Sequence, residues 1–244
     1  MFKIGLCIIF LYVPFLAVAE PVKETLPGSG QYFKSALIIS YTKTSDVSFH
    51  GQYLEADPIY FYTDQDTSKS KHDTMDIVFG GLISIGKDYG NWRAEIEYAY
   101  RYRTDLKGDL GLPKAELHYK GNISGHINID INSQSLAVNF LYELPVIGKF
   151  TPFTGFGLGY VEHKASGWNR YRGSYLPAKD STGGMLWQVH VGFEYQWQGP
   201  WSAQFSFQYV DLNKLQYATK EQQTIYYIDD IISIDLLLSL RYQF

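Results

Sequence analysis

The chain has 244 residues, 25 Asp and Glu against 21 Lys and Arg, and a single cysteine, Cys7. Its mild acidity gives no footing for nucleic acid as a partner, and one thiol excludes a disulfide framework. With 21 Tyr, 15 Phe and 22 Gly, the composition points to one strand-rich domain.

Residues 1–19 open on Met1-Phe2-Lys3, run apolar from Ile4 and close on Ala17-Val18-Ala19 before Glu20. A basic start, a short apolar run and an A-x-A site predict a secretory signal peptide cleaved after Ala19. A membrane-spanning helix would need about 20 apolar residues, and this run is shorter and broken by Pro14. Removing 19 of 244 residues leaves 225, without Cys7 and with 20 basic and 25 acidic side chains, because Lys3 leaves too. Residues 20–30 hold Pro21, Pro27, Gly28 and Gly30 and read as an extended lead-in to a domain at 31–244.

From there the chain alternates with a period of two. Successive side chains of a strand point to opposite faces, so this is the strand signature. At 32–42, Phe33, Leu37, Ile39 and Tyr41 share one face; Lys34, Ala36, Ser40 and Thr42 share the other. At 76–85, Ile77, Phe79, Ile83 and Ile85 share a face. After a turn at 86–91, Trp92, Ala94, Ile96, Tyr98, Tyr100 and Tyr102 alternate with Arg93, Glu95, Glu97, Ala99, Arg101 and Arg103.

A fourth strand at 135–144 presents Leu136, Val138, Phe140, Tyr142 and Leu144, with Glu143 on the other side. A fifth runs over 150–163, with Pro152 near its start, where a missing ladder bond is tolerable. At 187–197, Trp187, Val189, Val191, Phe193, Tyr195 and Trp197 oppose Gln188, His190, Gly192, Glu194 and Gln196. At 201–209, Trp201, Ala203, Phe205, Phe207 and Tyr209 oppose serines and glutamines. The last strand, 231–244, sets Ile232, Ile234, Leu236, Leu238, Leu240, Tyr242 and Phe244 against Ser233, Asp235, Leu237, Ser239, Arg241 and Gln243.

Connections alternate in length, with long ones at 43–75, 104–134, 164–185 and 210–230. Long loops on one side and short turns on the other predict an all-β fold, an eight-stranded antiparallel up-and-down transmembrane β-barrel. Residues 115–119 and 127–131 also alternate, but each run is shorter than the roughly nine positions a crossing strand needs. They are expected to form an extra hairpin standing above the membrane.

Alternation alone would also fit a soluble barrel with an apolar interior. The charges decide between the two. Lys34, Arg93, Arg101, Arg103 and Arg241 lie on the polar faces with Glu95, Glu97, Glu143, Glu194 and Asp235, five bases against five acids. The opposite faces carry almost no charge, as a lipid-facing wall requires when a mid-depth charge costs about 2–4 kcal/mol. Trp92, Trp197 and Trp201 gather at the short-turn end and Tyr41, Tyr100, Tyr102 and Tyr160 at the other, like two interfacial belts. The expected lumen is polar, closed by side chains, and includes His190 in its charge network.

The residues that end the chain carry a resemblance. A last strand of alternating apolar residues with Leu240, Tyr242 and a terminal Phe244 is similar to that of bacterial outer-membrane barrels. The run Phe150-Thr-Pro-Phe-Thr-Gly-Phe-Gly-Leu-Gly-Tyr160 resembles a strand of the opacity and OmpA-like small-barrel family. That resemblance implies a bacterial outer-membrane location, outer-membrane lipid as surroundings, and recognition of the C-terminal strand by the barrel-assembly machinery. It also implies a non-enzymatic role in the envelope, in adhesion or in host contact. A small-solute porin and a lipid-modifying enzyme are the alternatives.

The remaining motifs are weaker. Gly155, Gly157 and Gly159 share the inward face of the fifth strand, where they are expected to make room for large neighbours such as Arg and Tyr. An enzyme would need a histidine activated by a carboxylate near the outer rim. His50, His72, His118, His126 and His163 fall in expected loops or at a strand end, and His163 and Glu162 face opposite ways, so no catalytic residue is assigned. Asp64, Asp66 and Asp73 lack calcium-loop spacing, so neither metal nor cofactor is expected. Loop 43–75 carries Phe49, Tyr53, Tyr60, Phe61 and Tyr62; loop 164–185 carries Trp168, Arg170, Tyr171, Arg172 and Tyr175. Aromatics with arginine suit interfaces, so these two loops are the expected contacts for host surface molecules.

Overall fold

The computed structural model describes residues 30–51, 74–111, 124–171, 174–197, 199–219 and 224–244. Its strands are β1 (Gln31–Gly51), β2 (Thr74–Asp88), β3 (Trp92–Gly111), β4 (Ser124–Glu143), β5 (Phe150–Tyr171), β6 (Ser174–Gln196), β7 (Trp201–Asp211), β8 (Leu215–Thr219) and β9 (Thr224–Gln243). Each pairs antiparallel with its neighbour, and β1 pairs with β9 from Tyr32↔Gln243 to Gly51↔Thr224, which closes the barrel.

β7 and β8 both pair with β9 and together make one stave, so the barrel has eight. The stave bends at Asn213, which takes φ 66. Asparagine tolerates that left-handed geometry. Its side chain caps the bend, accepting from Lys214 N at 2.8 Å and donating to the Met185 carbonyl at 2.9 Å. The turns after β2, β4 and β6 are tight, with Gly90, Gly148 and Gly199 at φ 93, 65 and 72, a region open to glycine.

The wall is apolar outside and polar or packed inside. On β9, Leu238 and Leu240 are each 48% exposed, whereas Asp235 between the same neighbours is 0% exposed. Leu37 on β1 is 68% exposed and Lys34 only 6%. Aromatic pairs ring the short-turn end: Trp92 and Tyr142 lie 4.8 Å apart, Trp201 and Tyr242 4.9 Å. At the other end Trp187 meets Tyr209 at 5.3 Å.

Four features depart from the expectation. First, Arg103 does not face the lumen. The β3–β4 register jumps between Arg101↔Ser133 and Thr104↔Ile131, a bulge that lets Tyr102 and Arg103 both point outward. Arg103 takes φ 52, its side chain is 50% exposed, and Thr104 fills the inward place.

Second, residues 127–131 form no separate hairpin. They belong to β4, and the β3–β4 ladder continues past the bulge to Gly111↔Ser124; residues 115–119 lie outside the described residues. A strand whose partner is already aligned extends its ladder without closing a new loop. Third, the expected loop 164–185 is largely ladder, because β5 and β6 pair as far as Tyr171↔Ser174.

Fourth, the interior is not polar throughout. Ile131, Val161, Leu186, Val210, Leu212, Leu215, Ile228 and Ile231 form a buried apolar cluster toward the long-strand end. Ile38, Leu82 and Leu237 form a second with Ala36 and Ala99.

Candidate functional site

The charged side chains converge inside the barrel because inward residues recur at alternate positions on every stave. In the layer nearest the short turns, Lys34 on β1 reaches Glu95 on β3 at 2.5 Å, and the Tyr32 hydroxyl donates to the same carboxylate at 2.7 Å. Arg93 spans to β6, meeting Glu194 at 2.6 Å, and contacts Glu143 on β4 at 3.3 Å. Arg241 on β9 grips Glu194 at 2.8 and 2.9 Å and Asp88 at 3.1 Å, its guanidinium stacked 4.2 Å from the Tyr32 ring centre. Gln204 adds a donor to Glu194 at 2.8 Å.

One layer up, Arg101 meets Asp235 through two bonds to one carboxylate oxygen, at 3.0 and 2.5 Å. The Ser233 hydroxyl satisfies the other oxygen at 2.5 Å. The Lys34–Glu95, Arg93–Glu194, Arg241–Glu194, Arg241–Asp88 and Arg101–Asp235 contacts join staves that share no ladder, so they brace the barrel across its lumen. An ion moved out of water loses several kcal/mol of solvation. Direct partners in good geometry, with hydrogen bonds to the remaining polar atoms, offset that loss.

Glu97 is different. It is 2% exposed and accepts from Asn139 at 3.0 Å, Gln188 at 3.1 Å and Gln208 at 3.3 Å, and among the described residues no Lys or Arg pairs with it. With Arg103 turned outward, four interior bases among the described residues (Lys34, Arg93, Arg101, Arg241) face five buried acids (Glu95, Glu97, Glu143, Glu194, Asp235) and Asp88 at the short-turn rim. The expected five-to-five balance therefore fails, and Glu97, the carboxylate left without a cation partner, sits in a nest of amides. Gln208 lies between Glu97 and His190, its amide nitrogen 3.4 Å from the His190 ring. A Cβ at Gly157 would collide with Asn139 and Gln188, so this glycine makes room for the amide nest rather than for Arg or Tyr.

His163 lies within β5, not in a loop or at a strand end, and is fully buried. Its Nε2 is 2.9 Å from the Leu212 carbonyl, which can only accept, so that nitrogen carries the proton. Nδ1 then accepts from the Ser133 hydroxyl at 2.8 Å. Glu162 points the other way and accepts from Gln134. His50 and His126 fall on strand backbone in β1 and β4, while His72 and His118 lie outside the described residues.

Two members of the network escaped the sequence reading. Asp88 shares the inward parity of Ser84, and Tyr32 that of Lys34; a parity list that included strand ends and tyrosines would have found both. Of the expected host-contact residues, 52–73 and Arg172 lie outside the described residues; Trp168, Arg170, Tyr171 and Tyr175 lie on the β5–β6 ladder. At the C-terminus Leu240 and Phe244 face outward, and Phe244 N donates to the Gln31 carbonyl at 2.9 Å, tying the last residue to the start of β1.

Residues 35–241 match the outer membrane protein beta-barrel domain family. The chain is 28% identical over 141 residues to opacity protein opA50 of Neisseria gonorrhoeae, a stretch covering 46% of this chain and 59% of that one. It is 26% identical over 179 residues to outer membrane protein P.IIC of the same organism, covering 59% and 66%. In each case the match spans less than two thirds of the relative. Among solved structures, Neisserial surface protein A superposes with TM-score 0.51 at 13% identity, covering 88% of this chain and 98% of that one. OprG of Pseudomonas aeruginosa superposes with TM-score 0.50 at 14% identity, covering 89% and 98%.

Proposed function

Because the chain belongs to the outer membrane protein beta-barrel domain family, we propose that it is a non-enzymatic surface protein whose filled barrel anchors strands that project outward for adhesion or host contact. The observation that carries this reading is the length of its staves. On β5 the apolar wall ends near Tyr160, yet the ladder with β6 continues to Tyr171, eleven residues further. At about 3.3 Å per residue that is roughly 35 Å of strand before tilt. Ladders β3–β4 and β1–β9 also continue well past the tyrosine row.

The interior supports an anchor rather than a pore. Arg93, Arg101, Glu97 and Asp235 are each no more than 2% exposed, and apolar side chains fill the long-strand end. Export would follow from cleavage after Ala19. Assembly would follow from recognition of β9 through Leu240, Tyr242 and Phe244 by the barrel-assembly machinery.

Replacing residues 165–180 with a short turn tests the reading, since the barrel below stays intact. Cells displaying the shortened protein should lose attachment to host-cell surfaces while surface abundance stays level. Undiminished attachment by this variant, and by a second one shortened within 43–75, would sink the proposal.

A further inference from the structure

The outer wall changes character sharply on one side. Across β3–β6 the row Tyr98, Leu136, Tyr160, Met185 is apolar or aromatic. The next row is Tyr100, Gln134, Glu162 and Gly183, and the one beyond brings Asn132, Lys164 and Ser181 together. These polar groups form a chain on the outward face: the Tyr98 hydroxyl donates to Gln134 at 3.3 Å, Gln134 donates to Glu162, and Lys164 lies 3.7 Å from Glu162. Tyr98, Gln134 and Glu162 line an open groove of about 410 Å³, together with Tyr160 and Ser181 to Gly183.

The bulge in β3 adds a second cation. Arginine at φ 52 is strained, and strain held in place by surrounding structure is a pointer to function. Here it re-aims Arg103 from the lumen to the outside, while Glu97 inside has no cation. Arg103 N is held by Asn132 Oδ1 at 3.0 Å, and its guanidinium lies 3.5 Å from Asp130. Arg103 on β3 and Lys164 on β5 therefore flank β4 on the outer face, two strand spacings or roughly 10 Å apart. Both side chains are about half exposed.

Two separated cations over hydroxyl and amide groups, where the apolar wall ends, suit two anionic groups on a hydroxyl-rich ring. Asp130 and Glu162 in the same patch decide against a simple anionic headgroup, because they cancel its net charge, but carboxylates accept well from sugar hydroxyls. We propose that this face binds the phosphorylated saccharide headgroup of an outer-leaflet glycolipid, with Arg103 and Lys164 on phosphates and Tyr98, Gln134 and Glu162 on sugar hydroxyls. The placement rests on the projecting strands facing outward.

The test uses the full barrel in phosphatidylcholine nanodiscs, offered bisphosphorylated lipid A, dephosphorylated lipid A or phosphatidylglycerol, with bound lipid counted by native mass spectrometry. One bisphosphorylated lipid A should stay bound per barrel, with dephosphorylated lipid A and phosphatidylglycerol each held about tenfold less tightly. Arg103→Gln with Lys164→Gln should weaken lipid A binding about tenfold, and Gln134→Leu alone should weaken it measurably if the double variant does not fold. Retention of lipid A unchanged by these substitutions, equal retention of phosphatidylglycerol, or displacement by inorganic phosphate would overturn the proposal. The protein shortened at 165–180 keeps every one of these residues, so its lipid binding should persist whatever its attachment to cells does.

Discussion

Asp235→Ala should lower stability in a lipid bilayer by about 3–5 kcal/mol, the cost of leaving one member of a buried ion pair alone. Among the described residues Arg101 would then keep only the Ser135 hydroxyl, at 3.5 Å, for a side chain 2% exposed. The double change Arg101→Met with Asp235→Leu should recover most of that loss, because an apolar pair needs no desolvation to be offset. Urea-driven unfolding in vesicles measures both. A single substitution costing under about 1 kcal/mol would mean that water reaches the pair, and with it that the lumen is wet.

Leu238→Arg should cost about 2–4 kcal/mol in the same assay, the depth-dependent penalty for a cation facing hydrocarbon. Leu238 is 48% exposed on the outward face of β9, within its apolar row, and its neighbour Leu237 is 3% exposed on the other face. In a water-soluble barrel an exposed Leu→Arg change would be near neutral. Neutrality here would contradict a lipid-facing wall.

The parity of each stave within the apolar wall was legible in the sequence, because lipid imposes a strict period of two. Phe33, Leu37, Ile39 and Tyr41 had to lie on one face of β1 and do. The closure of β1 on β9 followed from alternating long and short connections. Legibility ended where the lipid does. Beyond Tyr160 and Tyr102 no apolar face is demanded, alternation fades, and the continued ladders to Tyr171 and Gly111 left no pattern to read.

The bulge was hidden for another reason. No glycine marks it: an arginine takes the positive φ, and one added residue reverses the parity of all that follows. Counting parity through Arg103 without a break misplaced a charge and gave a false balance in the lumen. Partner choice was equally out of reach. Arg101 and Asp235 are 134 positions apart in the chain, and the same parity rule allowed Arg101 to meet Glu97. The apolar cluster was missed because Ile131, Val161 and Leu186 share inward parity with the polar residues, and only charges were counted there.

The measurement that bears most directly on the inverted wall is the collision of spin labels with oxygen and with a water-soluble nickel complex. Labels at Leu37, Ile96, Val138 and Leu238, all outward and exposed, go into the barrel reconstituted in vesicles. All four should be swept by oxygen from the bilayer and screened from nickel. Nickel access at those four sites equal to that of a labelled surface residue such as Lys149 would put water where the wall must meet lipid.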